Sequence, residues 1–430
     1  MLPPGDSPRP RPPAPLPAAV AMASPPAHRQ LDALPDDLLA EVLIRLPSLA
    51  DLGRACASCA SFRRVVTDRA FLRRARALHP PSLLGFCGAS PGAGGFHFHP
   101  AEPPHPSAPA ARGVLRAADF GFSFLPSPDP LGWVVRDVLG GRFLLDRDVV
   151  EEGAAAASRI LAVCDPLFRR HLLLPQIPQD LAAASALRQS RRGDTFFAPI
   201  GEEECVAAVA ETSFKVIWIA ECADKLVAFV FSSVTGQWRA TASVCWGDLS
   251  PAFSRPACRS MSRRSYAYGC FYWMMGDSVK NLLVLDMRRM DFSVLELPSS
   301  APGHDIVECA IVEEGEGKIG MFAFRNYIAG YALQIYSAKM QNEGKAAAGK
   351  WSFETAMVVP FDEFGILGAT SRELFLKVPP SFARGCYSLE FSTNPSCKYL
   401  ESVRRVISGV PPSLSFLYVG YPPSLSSPSI

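Results

Sequence analysis

Proline is the residue that most limits what this chain can fold into. The 430 residues include 40 prolines, about 9% of the sequence, against a usual share of ~5%. A proline inside a helix removes one hydrogen bond and clashes with the preceding turn. Prolines at this density exclude an all-helical bundle or a coiled coil, and they favour a large all-β region with many turns.

Composition and charge exclude several classes of protein. The chain is 48% hydrophobic, which is enough for a sizeable core, and its length allows two to four domains of ~100–200 residues. The net charge is only +2, from 43 basic and 41 acidic residues, so we expect no nucleic-acid partner. No uncharged apolar run approaches the ~18 residues of a membrane span, so we expect no membrane partner.

The cysteines indicate the compartment. The 12 cysteines are spread thinly and form no short disulfide framework. No Asn-x-Ser/Thr acceptor occurs, since Asn394 is followed by Pro395. We therefore expect a reducing compartment, the cytoplasm or the nucleus.

The chain divides into three parts by pattern. Residues 1–27 contain ten prolines and predict a disordered or polyproline-like leader. Residues 31–79 show helical periodicity, and residues 83–430 consist of short β-type runs separated by Gly, Pro, Ser and Asp. Within this last region, three breaks predict surface loops at about 88–112, 151–158 and 341–350.

The helical block begins with an amphipathic helix. Pro35 stands where the first turn starts, and its missing N–H costs nothing there. Apolar residues recur at helical spacing and form one wide stripe: Leu38, Leu39, Val42, Leu43 and Leu46. So few short helices cannot bury this surface among themselves. The stripe therefore docks on the β region, or part of it is reserved for another protein.

This block resembles an F-box over its whole length. Residues 34–47 are LPDDLLAEVLIRLP, and they are similar to the opening helix of that motif. The segments 49–55 (LADLGRA), 61–66 (SFRRVV) and 71–72 (FL) resemble its remaining helices in the same order. Phe62 departs from the tryptophan that the family often has, although it keeps the aromatic bulk.

The resemblance implies partners. An F-box binds a Skp-type adaptor, which links it to a cullin-based ubiquitin ligase. Carried across, the residues that contact the adaptor or support the contact are Leu34, Pro35, Leu38, Leu39, Val42, Leu43, Leu49 and Leu52. Residues 61–79 hold six arginines and one acid, a stretch that is either a solvated helix face or a surface for an acidic partner.

The β region contains loosely repeated hairpins. Residues 163–175, 282–298, 230–238 and 348–360 each suggest a strand, a polar turn and a second strand. Such repeats are typical of a β-propeller, and at ~40–50 residues per blade the region allows about seven blades, fewer if there are insertions. The region, with its ending FLYVGYPPSL at 416–425, resembles the F-box-associated, propeller-like domain of plant F-box proteins.

Two glycine motifs do not support catalysis. Residues 88–92 match Gly-x-Ser-x-Gly, but Pro91 lacks the N–H that would stabilise an oxyanion, so a loop is favoured. Residues 315–320 match Gly-x-Gly-x-x-Gly, yet a β-type run follows and Glu313, Glu314 and Glu316 would repel phosphate. A β-hairpin turn is the better interpretation.

Two groups of metal-ligating residue types also lack a framework. Cys56 and Cys59 form a lone Cys-x-x-Cys, and zinc would need two more ligands. His97, His99 and His105 lie in a Gly/Pro-rich stretch with nothing to fix their geometry. We therefore expect no metal, no cofactor and no catalytic residues.

The favoured hypothesis is a non-enzymatic substrate receptor of a Skp-cullin-F-box ligase. Its small all-α F-box would bind the adaptor, and its large all-β, propeller-like domain would bind a target protein. One alternative is an F-box scaffold that acts outside ubiquitin transfer. Another is a propeller enzyme or carbohydrate-binding protein with an incidental helical prefix, which predicts convergent acid, base or metal groups at the centre of the propeller. The sequence shows no such set at a recognisable spacing.

Overall fold

The computed structural model divides the chain into two compact units, Met1–Leu78 and His79–Ile430. The described residues are 34–46, 49–79, 81–89, 96–126, 132–149, 158–178, 181, 193–199, 213–250, 261–276, 281–299, 305–327, 330–340, 350–359, 364–378, 385–392, 398–408, 415–421 and 430. The predicted leader 1–27 lies outside them, as do residues 151–157 and 341–349 of two predicted loops.

The first unit contains four helices among its described residues. They are α1 (Asp36–Leu43), α2 (Leu49–Ser58), α3 (Ala60–Val66) and α4 (Arg69–Leu78). α1 follows the extended backbone of Pro35 and carries two acids in its first turn, where they suit the helix dipole. α4 has a side-chain cap, because Asp68 Oδ1 accepts the backbone N–H groups of Ala70 and Phe71 at 2.9 and 3.0 Å. α1, α2 and α4 each contact α3.

The second unit is mostly β. Its strands are β1 (Ser82–Ala89), β2 (Phe96–Pro100), β3 (Val134–Leu139), β4 (Arg142–Val149), β5 (Ser158–Asp165), β6 (Arg170–Leu173), β7 (Gly193–Ala198), β8 (Lys215–Glu221), β9 (Lys225–Ser232), β10 (Gln237–Cys245), β11 (Met261–Ala267), β12 (Cys270–Met275), β13 (Asn281–Asp286), β14 (Asp291–Glu296), β15 (Ile306–Gly315), β16 (Lys318–Tyr327), β17 (Gly330–Lys339), β18 (Ser352–Val359), β19 (Gly365–Ala369), β20 (Glu373–Val378), β21 (Gly385–Phe391), β22 (Leu400–Ser408) and β23 (Ser415–Gly420). Two helices accompany them, α5 (Ala108–Ala117) and α6 (Trp246–Leu249).

These strands form six antiparallel sheets that are the blades of a β-propeller. Five blades take four consecutive strands each: β3–β6, β7–β10, β11–β14, β15–β18 and β19–β22. We number them blades 2 to 6. Blade 1 has the order β2-β1-β23, so its inner strand comes from the far end of the chain. This result confirms the predicted all-β propeller, with six blades where the sequence allowed about seven.

The inner strands close the ring. β23 contacts both β3 and β19, and further contacts join β3 to β7, β11 to β15 and β15 to β19. β7 and β11 are joined by a hydrogen bond from Arg264 to Asp194. Because β23 pairs with β1, the two ends of this unit share one sheet, and this pairing fastens blade 1 between blades 2 and 6.

The core lies between adjacent blades. Strand β12 is buried along its whole length, and Trp273 and Tyr272 on its two faces are almost fully enclosed. Blade 3 packs on blade 4 through a cluster that contains Phe196, Trp246 and Trp273. A strand with both faces covered has no polar side, which is why the middle strands are continuous apolar runs.

Most of the predicted hairpins are present. The segments 163–175, 230–238 and 282–298 include the turns between β5 and β6, β9 and β10, and β13 and β14. The motif at 315–320 is a hairpin turn between β15 and β16, as predicted, with Glu316 and Gly317 at φ of 50° and 68°. The prediction for 348–360 was wrong, because the described part of that segment, 350–359, supplies the single strand β18, which pairs with β17.

The predicted loop at about 88–112 also needs correction. It contains β2, where the buried Phe98 alternates with His97 and His99, and it contains the start of α5. α5 buries Ala108, Ala111 and Val114 against blade 1, and alanine lets a helix approach a sheet closely. The surrounding Gly and Pro residues conceal both short elements in the sequence. Among the described residues, no helix is long and apolar enough to cross a membrane.

Candidate functional site

The outer face of α1 presents two large apolar side chains. Leu38 is 54% exposed and Val42 is 50% exposed, and the two lie one helical turn apart. Pro35, at the start of the helix, is also exposed, and Leu34 is half-buried. These residues are the exposed members of the predicted adaptor-binding set.

The other predicted residues support this face from behind. Leu39 and Leu43 are 1% and 4% exposed, and Leu52 on α2 is also buried. The backbone of Leu49 begins α2, and its side chain lies outside the described residues. The single wide stripe of the sequence is therefore two faces in the structure, a buried one at Leu39 and Leu43 and an exposed one at Leu38 and Val42.

Two ion pairs connect α1 to α3 and α4. Arg64 on α3 donates to both carboxylate oxygens of Asp36, at 2.7 and 3.1 Å, and Arg74 on α4 lies 2.7 Å from Glu41. The hydrogen bond from Arg64 lowers the pKa of Asp36. Both pairs are exposed, so each stabilises the fold only slightly. Burial of Leu39 and Leu43 determines which face of α1 is exposed, and the two ion pairs involve two of the six arginines of residues 61–79.

A second group of functional residue types lies on the inner strands of the propeller. In four of these strands a β-bulge shifts the register with the neighbouring strand. The residues at which regular pairing resumes after the bulge are Asp137 on β3, Arg264 on β11, Glu308 on β15 and Gly368 on β19. A bulge redirects the side chains next to it. We call Asp137, Asp194, Arg263, Arg264 and Glu308 the inner-strand cluster.

Arg264 is the centre of this cluster. Its Nη2 lies 2.9 Å from Asp137 Oδ1 in blade 2, and its Nη1 lies 2.7 Å from Asp194 Oδ2 in blade 3. Trp273 Nε1 donates to the same Asp194 oxygen at 2.9 Å, and the guanidinium stacks 4.1 Å from the ring centre of Phe196. One side chain of blade 4 therefore joins three blades.

Arg263 and Glu308 connect blade 6 to blades 4 and 5. Arg263 Nη1 donates to the backbone oxygen of Leu367 at 2.7 Å, and Glu308 Oε2 accepts the N–H of Ile366 at 3.0 Å. Blades 2 and 4, and blades 4 and 6, are not neighbours in the ring. Direct contacts between them mean that side chains reach across the middle of the propeller at this level.

Burial controls the charges of the cluster. It raises the pKa of Asp137, against the opposing effects of Arg264 and the Phe197 N–H, and it raises the pKa of Glu308 in the same way. For Arg264, burial acts to lower the pKa, but the two aspartates outweigh it and raise the value. Arg263 is partly accessible to solvent. The protein atoms around its guanidinium still exclude enough water to lower its pKa, against the opposing effect of Glu308.

No sequence motif indicates this cluster. Its five residues come from four strands and are more than 100 positions apart at the extremes, so no motif spacing reveals them. One signal was available, since charged residues such as Asp137 and Arg264 interrupt β-type runs. The interruption gains meaning only when the inner strands are known to face each other.

The histidines and cysteines do not form a metal site in the described part of the chain. His97 and His99 lie on β2, and His105 Nδ1 accepts the N–H of Ser107 at 3.2 Å. Burial lowers the pKa of both His99 and His105. Cys56 is buried within α2 and Cys59 is half-buried just before α3.

Comparison with known proteins gives distant structural similarity alone. No family model matches the sequence, and no curated protein is similar to it. TolB from Acinetobacter baumannii has a TM-score of 0.36 at 11% identity, over 81% of this chain and 72% of that chain. The β-propeller domain of the Trilobed protease from Pyrococcus furiosus has a TM-score of 0.35 at 8% identity, over 64% and 83%.

A third similar structure is prolyl oligopeptidase B from Galerina marginata, with a TM-score of 0.34 at 8% identity. The match covers 62% of this chain and only 33% of that much longer one. Similarity at these levels carries no conclusion about activity.

Proposed function

We propose that this protein is a substrate receptor of a Skp-cullin-F-box ubiquitin ligase. The observation that carries the proposal is the exposed pair Leu38 and Val42, on a helix whose sequence resembles the first helix of an F-box. In this proposal the helical unit binds the Skp-type adaptor and, through it, the cullin. The propeller binds the target protein, and the chain itself performs no bond chemistry.

The chemistry of α1 suits a protein partner. Two apolar side chains one turn apart are the usual anchors of a helix that lies in a hydrophobic groove. About half of each side chain is accessible, so each has surface left to bury. Salt bridges hold the neighbouring acids Asp36 and Glu41 to the side of this face, so the centre of the contact remains apolar.

The propeller supplies the second half of the proposal. A receptor needs a rigid surface for its target, and six packed blades with interlocked inner strands provide one. Holding the target beside the ubiquitin-carrying machinery raises its effective concentration there, and this is the whole mechanism. The proposed location is the cytoplasm or the nucleus.

The test is recovery of the adaptor by the full chain. We compare wild type with the double variant Leu38→Asp/Val42→Asp, and we expect the adaptor only with wild type, since two carboxylates would be buried in an apolar contact. Both positions are exposed, so the variant should remain folded. A control is Val403→Asp, which places one such carboxylate on an exposed apolar residue of blade 6.

The control defines the result. Val403→Asp should recover as much adaptor as wild type. If the double variant also does so, the α1 face is not the interface and the receptor proposal loses its support.

A scaffold that acts outside ubiquitin transfer uses the same α1 face. Reconstitution separates the two functions, because a receptor supports transfer of ubiquitin to a bound target once adaptor, cullin and ubiquitin-carrying enzyme are added. A target that binds and stays unmodified favours the scaffold.

A propeller enzyme is the alternative from another class, and the inner-strand cluster is the observation that favours it. Asp137, Asp194 and Glu308 do converge on the inner strands, as that alternative requires. However, each carboxylate already accepts a hydrogen bond within the protein, and Asp137 and Asp194 share the Arg264 guanidinium. A substrate would have to displace these partners, so we assign the cluster to the joining of blades.

A further inference from the structure

A groove opens between two hairpins of neighbouring blades. Its volume is about 440 Å³. One wall is the β5–β6 hairpin of blade 2, with Arg170 and Leu172, and the other is formed by Phe214 and by Val234 in the β9–β10 turn of blade 3. Leu172 and Val234 are 44% and 69% exposed, so the walls are apolar and accessible.

The walls are held in place by hydrogen bonds. Asp165 Oδ1 accepts the N–H groups of Leu167 and Phe168, both at 3.1 Å, and closes the turn that leads to Arg170. On the other side, Ser233 exchanges two hydrogen bonds with the backbone of Phe214, at 2.8 and 3.0 Å. The groove is therefore preformed, which lowers the entropic cost of binding.

The groove already holds a residue of this chain. Arg170 Nη1 donates to the backbone oxygen of Ile430 at 3.1 Å. The Ile430 side chain packs on the core cluster that includes Phe214 and Phe197. The groove thus contacts two features together, an aliphatic side chain and a backbone oxygen of the same residue.

The rim adds a charge preference. Arg169, Arg170 and His171 are consecutive and exposed along one wall. Arg142 stands behind the other wall, where it donates to the Ser213 oxygen at 2.9 Å and lies 5.5 Å from the ring centre of Phe214. An extended peptide with an aliphatic residue fits this surface, and acidic neighbours in that peptide would be favoured.

We propose that this groove is a peptide-docking site that Ile430 occupies in cis, and that an extended target segment with an aliphatic residue binds there by displacing it. The source of that segment, a target protein, rests on the proposed receptor function. Binding at the groove does not depend on it. Since an occupant on the same chain competes with an incoming peptide, it reduces the apparent affinity for that peptide.

The experiment measures displacement with the full chain alone. The probe is a peptide with the sequence of residues 422–430 that carries fluorescein at its N-terminus, and its binding is followed by fluorescence anisotropy. The variant Ile430→Ser removes the resident side chain, and we expect it to bind the probe at least ~10-fold more tightly than wild type. Ile430→Val keeps an aliphatic occupant and should behave like wild type.

A second comparison tests the arginine. In the Ile430→Ser background, Arg170→Ala should cost about tenfold in affinity, typical of one hydrogen bond to a charged group. Arg239→Ala, on the exposed strand β10 and away from the groove, should cost nothing. Equal binding by wild type and Ile430→Ser would overturn the proposal, as would equal loss from the two arginine variants. Because no adaptor is present, neither outcome bears on the α1 face.

Discussion

At the scale of single residues, the molecule depends on charges that are mostly buried and paired with one another. Arg264 satisfies two aspartates from two other blades, and the aromatic side chains of Phe196 and Trp273 enclose the group. A buried ion pair contributes little net stability compared with a well-packed apolar core. Loss of one partner is far more costly, because the remaining charge is left without compensation.

We therefore predict that Arg264→Met destabilises the propeller by about 3–5 kcal/mol. The physical reason is that Asp137 and Asp194 would face each other at low exposure with no cation between them. Urea unfolding followed by tryptophan fluorescence measures the change. Arg404→Met is a suitable control, because that arginine lies on β22, the exposed outer strand of blade 6, and its pair with Glu390 of β21 should matter little.

The pH dependence of the same variant gives an independent check. The pKa of Asp137 is already raised by burial, and loss of Arg264 raises it further. A carboxyl whose pKa is higher in the folded state than in the unfolded chain favours folding at low pH, and this contribution is lost as the pH rises through the folded value. The difference in the free energy of unfolding between Arg264→Met and wild type should therefore become smaller as the pH falls. A constant difference would show that lost packing, and not unpaired charge, is the cause.

At the scale of elements, the repeated unit is a four-stranded meander, and its inner strand carries a bulge in blades 2, 4, 5 and 6. The bulge is the feature that places Asp137, Arg264 and Glu308 at matching positions on different blades. Blade 1 has its irregularity on β1 instead, between Leu83 and Gly85, next to the strand that closes the ring. An irregularity at the closure point requires an unusual backbone, and Gly85 supplies it.

Gly85→Ala tests this element. The φ of Gly85 is +157°, and an added Cβ would lie 2.2 Å from the backbone oxygen of His99. We predict a loss of about 1–3 kcal/mol, the cost of a non-glycine residue in such a conformation, with any backbone movement adding to it. Thermal unfolding by circular dichroism measures the loss.

The same substitution elsewhere provides the control. At Gly247 in α6 an added Cβ meets no atom within 4 Å, so Gly247→Ala should not destabilise the fold and should raise its stability by at most about 1 kcal/mol. If the two variants have the same unfolding temperature, the backbone at Gly85 tolerates a side chain better than its conformation indicates.

At the scale of the whole molecule, the sequence predicts repetition better than closure. Apolar runs such as β9, and turns such as Glu316–Gly317, depend on neighbouring residues, so local pattern finds them. Blade 1 depends on a pairing between β1 and β23, more than 300 positions apart, and the segment 348–360 looks like a hairpin although it is one strand. The inner-strand cluster was missed for the same reason, whereas the α1 face was found because it lies within one helix.

Closure leads to the last prediction. A chain cut after residue 414 lacks β23, so β1 loses a partner, and β3 and β19 lose the strand between them. It also lacks Tyr418, which is 3% exposed and lies 5.2 to 5.8 Å from the rings of Phe98, Phe120 and Phe143. Removal of a buried aromatic ring alone costs about 3–5 kcal/mol, so we expect the shortened chain to lose its cooperative unfolding transition or to unfold at much lower urea.

Two further chains make the comparison sharp. A chain cut after Tyr421 keeps β23 and loses the Ile430 contacts, so its urea midpoint should lie far closer to that of the full chain than to that of the chain cut after 414. The urea midpoint of the full-length variant Tyr418→Ala should lie between those of the two shortened chains. This variant keeps the pairing of β23 with β1 and loses only the aromatic ring. Equal urea midpoints for the chains ending at 414 and 421 would show that packing between neighbouring blades keeps the propeller closed without β23. The pairing of β1 with β23 would then be a consequence of closure and not its cause.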